Sequence, residues 1–147
     1  MNLTEHFTLE ELTHSQTAIR RGINNTPSLE IVEALTQLCT DLLEPARTLL
    51  NVPFHVDSGY RCAELNVAVG GSATSEHCLG HAADIIPQGL DLDQAFETLR
   101  TSDLPYDQII LECNTWIHLG LAGDGQTPRR EALTAQGTPG HWTYAKV

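Results

Sequence analysis

From about Leu29 to Leu50 the apolar residues Ile31, Leu35, Leu38, Leu42, Ala46 and Leu49 recur at steps of three and four, the period of a helix with one apolar stripe. That stripe is core material, so the rest of the chain has to supply a surface for it. Strand signals follow. After Pro53, Phe54 and Val56 alternate with His55 and Asp57 up to Ser58-Gly59. Ala82-Ala83-Asp84-Ile85-Ile86 reads as a buried strand bounded by Pro87, and a helix is predicted from about Asp91 to Arg100 with Leu92, Ala95, Phe96 and Leu99 inward. Gln108 to Glu112 and Trp116 to Leu121 then form a predicted β-hairpin around Cys113-Asn114-Thr115. Helices come first and strands dominate later, which favours α+β over a parallel βαβ sheet. The expected architecture is one domain over residues 1–147, with N-terminal helices packed on a small antiparallel β-sheet.

Shorter elements complete this reading. Thr8-Leu9-Glu10-Glu11 has the capping-box spacing, so a short helix starts there and runs to about His14. A polar stretch from Gly22 to Ser28 breaks the chain. Tyr60 to Val69 suits a short helix stopped by Gly70-Gly71, and Ser72 to Gly80 is polar and turn-rich. The tail from Ala122 is rich in Gly, Thr and Pro, with one further strand expected around Trp142-Thr143-Tyr144.

Charge excludes some functions. With 19 Asp+Glu against 8 Lys+Arg, and Lys146 the only lysine, the chain has no cation track for a phosphate backbone. Nowhere do about 18 apolar residues run together, and the N-terminus shows neither a basic nor an apolar leader region. A product soluble in the cytoplasm as synthesised is expected, with no membrane insertion, no nucleic acid and a monomeric chain. Cys39, Cys62, Cys78 and Cys113 form no C-x-x-C pair and read as free thiols.

Seven histidines beside that excess of carboxylates point to metal chemistry. In Ser75-Glu76-His77-Cys78-Leu79-Gly80-His81-Ala82-Ala83-Asp84, a loop histidine and a strand aspartate can converge on one ion if the chain turns sharply, and Gly80 supplies the turn. Ala82 and Ala83 allow close packing beside the site. His118 is the natural third ligand: on its strand Trp116 and His118 share one face while Ile117 and Leu119 point to the other. Two histidines and a carboxylate leave a tetrahedral zinc with an open position for water. His81 could replace Asp84 only in a helical segment, which Gly80 disfavours.

These residues also resemble a known family. Ser75-x-His77-x-x-Gly80-x-Ala82-x-Asp84 resembles the S-x-H-x-x-G-x-A-x-D signature of the D-alanyl-D-alanine metallopeptidases, and Trp116-x-His118 their downstream W-x-H. Ser58-Gly59-Tyr60-Arg61 and Leu65-Asn66 are similar to a segment of the carboxypeptidase-like branch common in phages and prophages; the capped N-terminal helix and the Asn25-Thr26-Pro27 stretch before the long helix also fit that branch, so the likeness spans roughly residues 3 to 145. The resemblance implies a zinc peptidase of peptidoglycan stem peptides, in the fold shared with the hedgehog domain. Zinc would sit on His77, Asp84 and His118, and Arg61 would grip a substrate carboxylate. A phage endolysin or virion-associated lysin, acting on the cell wall, is the implied setting.

The general base departs from part of that family. Many relatives carry Asp or Glu three residues before the last histidine, where this chain has Thr115, which cannot accept a proton at neutral pH. Glu112, across the hairpin turn, is the remaining candidate, and Ile109, Ile110 and Leu111 would raise its pKa. Ser75 and Tyr60 are expected to orient ligands or substrate, and Trp116 to form a wall of the cleft. Glu64, Glu76 and Asp107 read as solvated surface charges, and Cys78 as a small core residue. Thr115 keeps a second reading open, a zinc-binding but non-catalytic module or a phage structural protein with a vestigial site.

Overall fold

The computed structural model describes all residues, Met1–Val147. Thr8 opens α1 (Leu9–Thr13) through the expected capping box: its hydroxyl accepts the Glu11 N–H, and the Glu11 carboxylate accepts the Thr8 N–H. A second short helix, α2 (Gln16–Arg21), is absent from the sequence expectation because so few residues carry no readable period. It is capped by Ser15 and ended by left-handed Gly22 at φ 66°.

The long apolar stripe folds as one helical run in three parts: α3 (Leu29–Leu38), a π-helical turn over Cys39–Leu43, and α4 (Glu44–Leu50). Pro45 explains the interruption. It has no N–H to donate and its ring crowds the preceding turn, and a widened turn relieves both, with the Glu44 N–H reaching back to the Cys39 carbonyl. The wider turn also rotates the buried face. Leu35, Leu38, Leu42 and Ala46 are buried as the period predicts, but Cys39 and Leu43 join them, Leu49 is 46% exposed, and Leu50 packs on the core instead.

The strands β1 (Phe54–Ser58), β2 (Ala82–Pro87), β3 (Tyr106–Glu112), β4 (Trp116–Leu121), β5 (Glu131–Thr138) and β6 (His141–Lys146) form one six-stranded sheet in the order β1-β2-β4-β3-β5-β6. A short helix, α5 (Ala63–Ala68), and a 3-10 turn (Glu76–Leu79) lie between β1 and β2, and α6 (Leu92–Arg100) links β2 to β3. The sheet is larger than the sequence suggests and not wholly antiparallel, because β5 lies parallel to β3. Nothing announces β5: only Leu133 and Ala135 are buried in it, and its Thr and Gly content reads as loop. No helix is long and apolar enough to cross a membrane.

Helices cover one face of the sheet, where Leu35, Leu38 and Leu42 pack with Ile85, Ile109, Ile117 and Leu119. Each such buried side chain contributes about 1.5–3 kcal/mol. The other face is open. Register aligns Ser58, Asp84, His118, Ile110, Leu133 and Lys146 in one row across it, and Trp116, Glu112, Ala135 and Tyr144 in the next. Paired residues share a face, so Asp84, His118 and Glu112 come together on the side away from the main helical layer.

Gly59 joins β1 to this open side. A Cβ there would run into the backbone carbonyl of Leu12, which accepts the Tyr60 N–H at 2.7 Å and cannot step aside. Gly59→Ala is therefore expected to cost about 1–3 kcal/mol, read as a lower thermal midpoint by circular dichroism. An unchanged midpoint would show that the contact between α1 and β1 yields freely.

Candidate metal centre

His77 is presented by the 3-10 turn, whose N-cap, Ser75, accepts the His77 N–H at 3.2 Å through its hydroxyl. Gly80 ends that turn in the left-handed conformation at φ 73°, close against the Ile31 carbonyl of α3, so it supplies the sharp bend the motif requires. Asp84 sits on β2 directly opposite His118 on β4. All three side chains are buried.

Hydrogen bonds orient the rings. His77 Nδ1 lies 2.7 Å from the Gly59 carbonyl oxygen, which only accepts, so Nδ1 carries a proton. Nε2, 3.2 Å from Asp84 Oδ1, donates to that oxygen when protonated and offers its lone pair when a cation is bound. His118 Nδ1 lies 3.0 Å from the same oxygen. One ligand atom from each residue falls within 4.8 Å of the others. Two imidazole nitrogens and one carboxylate oxygen at that spacing can hold a single metal ion.

The electrostatics suit a cation. Burial opposes ionisation of Asp84, but the charge of His77 and the hydrogen bonds from both histidines hold its carboxyl well below the usual range. Burial pushes His77 down, toward the neutral imidazole that a metal requires. Burial acts the same way on His118, yet the bond to Asp84 and the nearby Glu112 and Glu76 carboxylates outweigh it and raise the pKa.

Glu112 stands beside the cluster, its Oε1 4.0 Å from His118 Nδ1, while its Oε2 accepts the Trp116 indole N–H at 2.7 Å. Burial, then the negative charge of Asp84, raises its pKa. Thr115 is exposed, and its hydroxyl donates to the Glu112 carbonyl within the turn. Arg61, Tyr60, Ser75, Glu112 and Trp116 all line one cleft of about 1250 Å³ over the cluster. The Arg61 guanidinium donates to Asn66 Oδ1 at 3.1 Å, its Nε is buried without a partner, and no carboxylate pairs with it. His81 lies apart, beside Gly123, and all four cysteines are free.

Two acids depart from the sequence expectation. Asp107 is buried and Glu76 half-buried, and both pair with Arg129, at 2.8 and 3.2 Å. Neither is a solvated surface charge. No local pattern marks them, because their partner lies far along the chain.

An α+β fold that brings two histidines, an aspartate and a neighbouring glutamate to the floor of a cleft defines a metal-dependent hydrolase. The family model described as peptidase M15 matches residues 5–120, and the chain belongs to that family of metallopeptidases. The match ends before β5 and β6, short of the residues 3 to 145 over which the motifs resemble it. No curated protein matches the chain.

Proposed function

We propose that the protein is a zinc peptidase that hydrolyses peptidoglycan stem peptides containing D-amino acids. The observation that carries this reading is the His77, Asp84 and His118 cluster with Glu112 beside it in a cleft that also holds the unpaired Arg61. The donor set fits zinc, which Nε2 of His77, Nδ1 of His118 and the Asp84 carboxylate would hold. When bound, zinc supplies Lewis-acid polarisation of the scissile carbonyl and activates water.

The chain's own residues do the rest. Glu112 takes a proton from the attacking water and returns it to the leaving amine, and its bond to Trp116 keeps Oε1 turned toward the cluster. Ser75 fixes the turn that carries His77, while Tyr60 and Trp116 form walls against the substrate. Arg61 receives a substrate carboxylate in a bidentate fork. Arg61→Ala is expected to raise KM about 10–100-fold with a smaller change in kcat, and Arg61→Lys to recover only part of it, in steady-state kinetics on a stem peptide. Glu112 beside the cluster favours an enzyme over a zinc-holding module. On the resemblance of Ser58–Arg61 and Leu65-Asn66 to the phage branch, the setting we favour is an endolysin or virion-associated lysin.

The test is digestion of purified peptidoglycan and muropeptides by zinc-loaded protein, followed by mass spectrometry. Released alanine marks a carboxypeptidase, and a dipeptide or freed stem peptide marks an endopeptidase. Product formation should cease with a chelator and return with zinc. No product from protein shown to hold zinc would overturn the reading.

A further inference from the structure

Two polar atoms next to the cluster are left without a role by the ligands and the base. His118 Nε2 and Glu76 Oε2 are both buried, and neither has a hydrogen-bond partner. Buried nitrogen and oxygen atoms are nearly always satisfied, so a pair of orphans in one place marks a contact still to be completed. They meet over Gly120. The position that a Cβ on Gly120 would take touches Glu76 Oε2 and lies 3.6 Å from His118 Nε2. The two atoms thus lie at most about 6 Å apart, near enough to be joined directly by a small shift of the carboxylate or through one water. Gly120 does not have a positive φ, so the site needs it for space rather than for conformation.

Glu76 is held in this position from behind. Its Oε1 accepts from Arg129 Nη2 at 3.2 Å. Arg129 is clamped on Asp107 through its backbone N–H at 2.8 Å, Nε at 3.1 Å and Nη2 at 2.8 Å. Oε2 is the oxygen left over, and it faces His118.

When His118 gives its Nδ1 lone pair to a cation, the ring proton resides on Nε2, and a buried N–H then needs an acceptor. His77 has one in the Gly59 carbonyl. We propose that Glu76 is the corresponding positioning residue for His118: fixed by Arg129 and Asp107, its carboxylate accepts the Nε2 proton across the gap that Gly120 leaves. This holds Nδ1 in line with His77 and Asp84. The inference rests on the metal reading above and adds to it residues outside the ligand set.

The test measures the zinc dissociation constant of the purified protein by competition with a chromophoric chelator, alongside melting of the metal-free protein. Glu76→Ala is expected to weaken zinc binding about 10–100-fold, the usual effect of losing a partner of a ligating histidine. Glu76→Gln, which keeps an acceptor oxygen, should recover most of that loss. Gly120→Ala, which keeps every polar group but pushes the carboxylate aside, should weaken binding in the same direction. A merely structural role would lower the metal-free melting temperature in step with affinity and leave Gln no better than Ala. That result, or wild-type affinity in Glu76→Ala, overturns the proposal. Should Glu76→Ala fail to fold, the comparison of Glu76→Gln with Gly120→Ala decides: near-wild-type affinity in the first and weakened affinity in the second support the role, and equal affinities refute it. Wild-type protein that binds no zinc would instead defeat the proposed function itself.

Discussion

Glu112→Gln is expected to lower turnover of a stem peptide by about 10²–10⁴-fold, the range over which a positioned general base acts. Zinc content should not change. The Glu112 carboxylate lies beside the three ligand atoms rather than among them, and glutamine keeps the volume and an oxygen for the Trp116 indole. What it loses is the ability to take a proton. Burial and the Asp84 charge hold this carboxyl above its ordinary range, and a bound cation pulls it back, so wild-type activity should rise with pH as Glu112 ionises. The residual rate of the variant should lack that rise. Kinetics against pH, with metal content by atomic emission, measure both, and a fully active variant would remove Glu112 from the mechanism.

The second large effect belongs to Asp84. Its Oδ1 is approached by both histidines, and it is the only anion among the three ligand residues. Asp84→Asn keeps the size of the side chain and removes the charge. Zinc affinity should fall by more than about 100-fold, beyond what loss of a partner outside the ligand set causes, and activity should fall to background. In the metal-free protein the sign of the pH effect follows from the depressed pKa of Asp84. A carboxyl that ionises more easily folded than unfolded contributes stability at pH above its ordinary value, and that stability is lost as the pH falls toward its folded value. The metal-free wild type should therefore lose more stability on acidification than metal-free Asp84→Asn, by thermal melts across the acid range. A variant that stays zinc-loaded and active after dialysis would exclude Asp84 as a ligand.

Much of this molecule can be read from neighbouring residues. The capping box at Thr8, the helical stripe from Ile31, the β3–β4 hairpin and the sharp turn at Gly80 each depend on side chains and backbone groups a few positions apart, so their pattern is visible in a linear chain. Alternation along β4 places His118 on the face opposite Ile117 and Leu119, while its pairing with Asp84 across β2 and β4 is a contact that only the fold supplies. The place of Glu112 is legible locally, since a short turn sets it opposite Trp116 and two residues from the row of His118.

Other features depend on packing. The π turn before Pro45 moved Leu49 off the core, because one wider turn rotates everything after it. β5 joins the sheet parallel to β3 with little apolar content of its own, and its stability comes from the neighbours on either side. Glu76 and Asp107 read as solvated surface charges in the sequence, yet both pair with Arg129. They meet only after the helices close one face of the sheet and leave the other open, which draws the 3-10 turn, the start of β3 and the segment before β5 to one place. Periodic burial and short-range hydrogen bonds leave a record in adjacent residues. Contacts between distant segments, and the burial that gives those charges their partners, exist only once the whole chain has packed.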